Sequence, residues 1–260
     1  MAGFFKTLLT KDSKLDIDQL IRKKTALSFL FFFLFAGLAF GAWQWLRNQP
    51  SDSGRTSAPL RKVLNMNEKI FSGLLSDNHL TKEYPRSKAA NPARVNGNLG
   101  LQTPFDPSTW SMRVIRSKGD TLRLKLADLR KLPYTEVTYN FKCIEGWSQV
   151  TNWGGVRFAD FMKAYGLNEQ AAMKYLGLST PDGQYYVGID MPSALHPQTL
   201  LCYTLNGKPL PMDQGYPLRL IIPVKYGVKS LKRIGDMYFA NERPPDYWAD
   251  KKGYDYFSGL

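Results

Sequence analysis

Between Thr25 and Leu46 the chain runs for 22 residues without a charge, dense in Phe and Leu. At about 1.5 Å per residue such a run reaches about 33 Å, enough to cross a hydrocarbon core. It predicts a single membrane-spanning helix, with Trp43 and Trp45 as interfacial anchors. A cleaved signal peptide and a buried core helix compete with this reading. Signal sequences have apolar regions of only roughly 7–15 residues, however, and a core helix is seldom apolar on every face. After Leu60 the pattern changes to short alternating runs. Trp110–Arg116 and Thr121–Leu126 read as two strands around a turn at Lys118-Gly119-Asp120, a hairpin signal. Val137–Cys143, Lys174–Leu178, Tyr185–Ile189, Leu200–Leu205, Leu218–Val224 and Lys232–Ala240 read as further strands, and Phe158–Tyr165, closed by Gly166, as a short helix. Strands outnumber helices and long connections separate them. The expected fold class is therefore α+β, with several small mixed or antiparallel sheets whose loops converge from distant segments.

The expected organisation is a cytoplasmic segment over 1–24, the membrane helix over 25–46, a flexible linker over 47–60 rich in Pro, Ser, Asp and Gly, and one domain over 61–260. Lys6, Lys11, Lys14, Arg22, Lys23 and Lys24 precede the helix; Arg47, Arg55, Arg61 and Lys62 follow it. That imbalance puts the N-terminus in the cytoplasm and the domain outside, in a bacterium the periplasm.

Charge adds a constraint. The 260 residues carry +13 overall, and only +4 of it lies in residues 1–50. The excess therefore belongs mostly to the domain and points to an anionic partner. Nucleic acid is disfavoured for a domain outside the cytoplasm. The two cysteines, Cys143 and Cys202, exclude a disulfide framework and a four-thiolate metal site.

Cys143 ends an alternating run and meets Ile144-Glu145-Gly146-Trp147-Ser148, a turn that can aim its thiol into a cleft. The adjacent Lys142, if near the sulfur, would favour the thiolate that binds metals or attacks electrophiles. Simple packing competes, because free cysteines are often buried; Cys202, among apolar neighbours, fits packing better. A second concentration lies in Arg219–Arg233, with five cations in fifteen residues broken by Pro223 and Gly227. It reads as an anion pocket, against a solvated basic face, a nucleic-acid patch or a surface for acidic phospholipid.

Three strings together carry a family resemblance. Phe141-Lys142-Cys143-Ile144-Glu145-Gly146-Trp147-Ser148 with Trp153-Gly154-Gly155-Val156 resembles the metal-ligand loop of the sulfite oxidase-like molybdopterin enzymes. His196-Pro197-Gln198-Thr199-Leu200, Leu205–Pro211, Gly215–Leu220 and Pro223–Lys232 resemble the pterin-binding half. Glu242-Arg243-Pro244-Pro245 followed by Tyr247-Trp248 resembles the periplasmic protein-methionine-sulfoxide reductase branch. The likeness spans about Tyr84 to Leu260.

The resemblance implies a sulfite oxidase-type fold and an oxygen-atom-transfer enzyme. Its metal would be molybdenum, held by Cys143 and by one molybdopterin without an attached nucleotide. Thr180, Gln214, Arg219, Ser230, Leu231 and Lys232 would line the pterin, with Arg94 and Asn96 from an upstream loop; Gln214 stands where that branch has Asn. His196 would touch cofactor or substrate, or else cap the turn before Pro197. Lys142 and Lys225 would add positive potential at the catalytic mouth. The substrate would be an S-oxide or N-oxide, reduced with electrons from a membrane cytochrome or quinone-linked protein. Sulfite-type oxidation at the same centre, a non-catalytic subunit of a membrane complex, and a thiol oxidoreductase pairing Cys143 with Cys202 are the alternatives. A single Arg22 stands where a twin-arginine export signal would have two.

Overall fold

The computed structural model describes residues 11–52, 56–74 and 79–260. Lys6 with the rest of residues 1–10, and Arg55 within the expected linker, lie outside the described residues. Those described separate into two compact units, residues 1–51 with 57–62 and residues 52–56 with 63–260.

The first unit is dominated by helix α1, Ile17–Arg47. It starts eight residues before the uncharged run because Asp16 caps it: the Asp16 carboxylate accepts from the Gln19 backbone N–H at 2.8 Å, and the Gln19 side chain returns to the Asp16 N–H at 3.4 Å. Lys23 and Lys24, on its first two turns, pair with Asp12 at 3.0 and 2.9 Å. None of its apolar span is buried, and Phe29 through Phe35 are exposed in a row. The helix is long and apolar enough to cross a membrane, and none of its apolar window is buried among the described residues. Helix α2, Ala58–Leu74, follows and was not expected from the linker composition.

The second unit is built on two five-stranded sheets. One has the order β2-β1-β10-β5-β6, from β1 (Met112–Ser117), β2 (Asp120–Leu124), β5 (Tyr175–Ser179), β6 (Tyr186–Asp190) and β10 (Asp236–Ala240); only the β1–β10 pair is parallel. Its alternation is legible in β1, where Met112 and Val114 are buried while Arg113 faces out and pairs with Asp236 across the register. The other sheet has the order β3-β4-β7-β8, from β3 (Thr135–Lys142), β4 (Ser148–Arg157), β7 (Leu200–Leu205) and β8 (Lys208–Pro209), with β9 (Arg219–Ile221) also on β7. Val137, Tyr139, Phe141, Trp153, Cys202 and Ile221 fill its core. A larger core joins the first sheet to the helix at Phe158–Ala164.

Two expected strands are shorter than their apolar runs: Leu218–Val224 keeps only Arg219–Ile221, and Lys232–Ala240 starts at Asp236. The segment between them, residues 222–235, passes from one sheet to the other and includes Arg233 in the left-handed region at φ 50°. Strand β4 was not expected at all, because Gly154-Gly155 reads as a breaker. It pairs with β3 over eight registered positions and with β7 on its other side. The glycines are there for close approach: a Cβ on Gly155 would strike the Leu201 carbonyl oxygen, and one on Gly154 the Tyr134 hydroxyl.

Candidate functional site

Cys143 sits at the first position after β3, in the tight connection to β4. Its N–H donates to the Trp147 carbonyl at 2.9 Å and its carbonyl accepts from the Gly146 N–H at 3.1 Å. Gly146 holds φ +89°, a conformation that costs glycine least. The turn therefore rests on backbone bonds and leaves the sulfur free to face a cavity. Burial pushes the thiol up from its ordinary value; the Glu145 carboxylate adds to this, while the Glu145 N–H and the Arg94 guanidinium act the other way. Lys142 is exposed at the end of β3 and is not among the groups acting on the sulfur; Arg94, stacked on Trp147 at 4.4 Å, is the cation that does.

The cavity beside Cys143 is walled by Asn96, Gly97 and Leu99 from the upstream loop, Ile144 and Glu145 from the hairpin, Tyr185, the turn at Gly227, Val228 and Ser230, Lys232, and Trp248 and Tyr254 from the C-terminal region. Tyr185 is fixed by two contacts: its hydroxyl donates to the Val228 carbonyl and accepts from Trp248 Nε1 at 3.1 Å. Trp248 meets Tyr254 edge-to-face at 5.4 Å. These aromatic walls come from segments 42 to 111 positions away from Cys143, and the only signal for them was the Tyr247-Trp248 string.

The five cations of Arg219–Arg233 divide into two groups. Lys229 is paired with Asp246 at 2.5 Å and bonded to the Gly188 carbonyl at 2.9 Å. Lys225 pairs with Asp190 at 2.7 Å, under the Phe257 ring, and is not in the wall of the Cys143 cavity. Arg219, Lys232 and Arg233 are buried, and among the described residues none of them is in a salt bridge. Arg219 is fully buried on the Trp153 ring at 4.6 Å and donates to the Gln214 side chain at 2.9 Å and to the Gln214 and Ser230 carbonyls at 3.2 Å. Lys232 donates to the carbonyls of Asn96, Gly97 and Asp213 at 2.5, 2.8 and 2.8 Å. Arg219 Nε and Ser230 Oγ are buried without a hydrogen-bond partner. A buried charge is costly until it is neutralised, so Arg219 and Lys232, with the orphaned Arg219 Nε and Ser230 Oγ, favour an anionic ligand.

The structure brings Asn96, Ser230 and Lys232 into the cavity with Cys143, and Arg94, Gln214 and Arg219 into one hydrogen-bonded chain behind it, Gln214 Nε2 donating to the Arg94 carbonyl at 3.1 Å. Leu231 is core. Thr180 is buried near Gly100, its hydroxyl donating to Asp182 at 2.6 Å, and does not line the cavity. His196 lies elsewhere: its Nδ1 accepts from the Gln198 N–H at 3.3 Å and its Nε2 meets the His79 carbonyl at 3.1 Å, so it caps the turn around Pro197. Cys202 is fully buried core, its thiol donating to the Thr204 carbonyl at 3.1 Å.

Residues 100–248 match the family described as the oxidoreductase molybdopterin binding domain. The chain belongs to that family. As a molybdopterin oxidoreductase it is an enzyme with a molybdenum cofactor. It is 32% identical over 211 residues to an Azospira oryzae protein provisionally named as a protein-methionine-sulfoxide reductase subunit, covering 80% of this chain and 79% of that one. Against the protein-methionine-sulfoxide reductase catalytic subunits of Xanthomonas campestris and Burkholderia mallei it is 35% and 31% identical over 59% and 82% of its length, and spans 52% and 65% of theirs. The sulfane dehydrogenase SoxCD of Paracoccus pantotrophus aligns over 56% of this chain and 42% of that one at 16% identity with a TM-score of 0.49.

The residues present fit a molybdopterin. Among the described residues no group of three or more His, Cys, Asp or Glu could hold a metal unaided, so a metal on Cys143 needs ligands from a chelate. Arg219 and Lys232, outside any salt bridge among the described residues, and the orphaned Ser230 hydroxyl match the charge and acceptors of a phosphate.

The same burial sets a pH dependence. Desolvation pushes Lys232 down to about 7 and Lys225 to about 8 from the usual 10.5. In the unfolded chain both stay protonated to about 10, so above about pH 7 the unfolded state binds more protons and stability rises with pH. We expect cofactor-free protein to gain roughly 1–2 kcal/mol in denaturant unfolding between about pH 7 and 9. Bound cofactor should flatten this slope by restoring the Lys232 charge; a slope of opposite sign would refute the assignment.

Proposed function

We propose that the protein is a membrane-anchored reductase of sulfoxides, working with electrons from a separate membrane cytochrome or quinone-linked protein. Cys143 is its metal ligand. Arg219, Ser230 and Lys232 take the phosphate of a molybdopterin without a nucleotide, Arg94, Asn96 and Gln214 shape its pterin side, and Leu231 and Thr180 support that side from the core rather than touching it. The bound cofactor supplies two-electron oxygen-atom transfer. The observation that carries the direction of turnover is the wall of the cavity. Its one lining cation, Lys232, is engaged by the Asn96, Gly97 and Asp213 carbonyls, whereas the rest of the wall presents the Glu145 carboxylate and the rings of Tyr185, Trp248 and Tyr254. A carboxylate disfavours an incoming sulfite anion. Aromatic rings suit a neutral sulfoxide flanked by carbon, and a thioether product makes favourable sulfur–ring contacts.

The residues divide the work. Trp147 Nε1 donates to Glu145 at 3.1 Å and holds the carboxylate at the turn. Trp248 and Val228 lock the Tyr185 hydroxyl in place, and Trp248, edge-to-face on Tyr254, completes the aromatic wall. Reduction of a sulfoxide to a thioether consumes two electrons and two protons and releases water. The naming of the Xanthomonas and Burkholderia relatives as catalytic subunits supports an electron donor on another chain, and helix α1 supports a single-pass inner-membrane protein with its domain in the periplasm.

Anaerobic mixing tests the reading. Reduced holoenzyme should be reoxidised by methionine sulfoxide, with N-oxides in the same panel, while sulfite leaves the oxidised form unchanged; a response to sulfite alone would reverse the direction. In Glu145→Gln, sulfite should bind as an inhibitor about 10-fold more tightly, while the KM for methionine sulfoxide moves less than about 3-fold. Equal changes for both ligands would remove Glu145 as the discriminating charge.

A further inference from the structure

We propose that helix α2 is an interfacial helix that lies on the anionic phospholipid surface next to the point where α1 leaves the membrane. The proposal rests on the membrane-anchor reading of α1. Leu60, Val63, Met66 and Ile70 are all exposed. At about 100° per residue they fall within an arc of about 120°, one face of a helix. Lys62 and Lys69, both exposed, follow along one edge of that arc. Glu68 points from another side and pairs with Arg243 at 2.5 and 2.6 Å, which ties the helix to the strand-rich unit and turns its apolar stripe away from it. An amphipathic helix of low net hydrophobicity with lysines beside an apolar face is the kind that settles at a headgroup boundary rather than crossing the bilayer.

The occupant follows from the tether. Helix α1 ends at Arg47 and its last turns carry Trp43 and Trp45, side chains that sit at headgroup level. The chain then doubles back. Ser51 bridges Ser57, and the Ala58 N–H donates to the Pro50 carbonyl at 2.9 Å. The first residue of α2 is thus bonded to the residue three positions past the end of α1, a tether short enough to keep the start of α2 at the headgroup boundary. Arg47 and Lys62 complement anionic headgroups, each lysine or arginine near such a surface being worth about 1 kcal/mol.

The test uses full-length protein in nanodiscs of phosphatidylcholine and phosphatidylglycerol, with a genetically encoded fluorescent amino acid at position 35, 63, 65 or 70, so that no thiol chemistry touches Cys143. The probe at 35 reports insertion of α1. Probes at 63 and 70 should be blue-shifted and lose about half their emission to brominated lipid, while the probe at 65 responds only to aqueous iodide. Quenching at 63 and 70 should weaken when phosphatidylglycerol is omitted. With Val63→Glu and Ile70→Glu combined, a probe at 66 should lose its lipid quenching while sulfoxide reduction by a soluble viologen donor is unchanged. Probes at 63 and 70 that behave like 65, with 35 still quenched, would overturn the interfacial helix alone. An unquenched probe at 35 would overturn the anchor, and the interfacial helix with it.

Discussion

In a Cys143→Ser variant, molybdenum in the purified full-length protein should fall from about one atom per chain to below about a tenth, because serine offers no soft thiolate at that turn. Sulfoxide reduction should fall by about three orders of magnitude, equivalent to ~4 kcal/mol. The fold should survive. The turn is held by backbone bonds between Cys143, Gly146 and Trp147 rather than by the sulfur, so the change in stability should stay within about 1 kcal/mol. Cys202→Ser gives the opposite split. That thiol is fully buried in the core of the second sheet, and its loss should lower the melting temperature while molybdenum is retained. Elemental analysis and thermal unfolding of the two variants decide the point; a Cys143→Ser protein that keeps its metal would remove the cysteine as ligand.

Arg219→Met should move cofactor binding and apoprotein stability in opposite directions. Arg219 is fully buried with no carboxylate partner among the described residues, and desolvation pushes its guanidinium down to about 10. Without a bound anion that charge is a burden on the fold, only partly offset by the Trp153 ring and by three acceptors from Gln214 and Ser230. A methionine of similar volume relieves it. Protein produced in a host unable to make molybdopterin should therefore be more stable as Arg219→Met by about 1–4 kcal/mol. In a competent host the same variant should lose at least about 10-fold in cofactor occupancy, since a charge-assisted contact to phosphate is gone. A variant less stable in both hosts, with full molybdenum, would show Arg219 to be a structural residue.

The edge of the first sheet was readable from alternation, because β1 and β2 bury one face and so show a period of two, whereas β5 and β6 are buried on both faces and read as short apolar runs. The apolar run of α1 was readable for the complementary reason, that lipid asks for no polar face. Reading failed where local chemistry and tertiary need conflict. Gly154-Gly155 looks like a chain break, yet belongs to a central strand, since the Leu201 backbone and the Tyr134 side chain leave no room for a Cβ. Lys232–Gly235 looks like strand and is instead the link on which Lys232 and Arg233 are presented. In α2, Pro59 and the polar stretch before it hid an amphipathic period that begins at Leu60.

The site shows the same division. By itself the sequence determined that one cysteine stands at the turn out of a strand, that a basic run interrupted by Pro223 and Gly227 follows, and that the strings around both resemble a molybdopterin enzyme. It had no means of sorting the cations. Only the tertiary structure placed Lys225 and Lys229 against Asp190 and Asp246 while leaving Arg219, Lys232 and Arg233 outside any salt bridge among the described residues, and only it set Arg94 to act on the Cys143 sulfur. The reason is that a charge pattern along the chain records how many ionic groups exist, whereas which of them remain unneutralised depends on carboxylates and rings brought from segments tens of residues away. That surplus charge is what selects an anionic ligand.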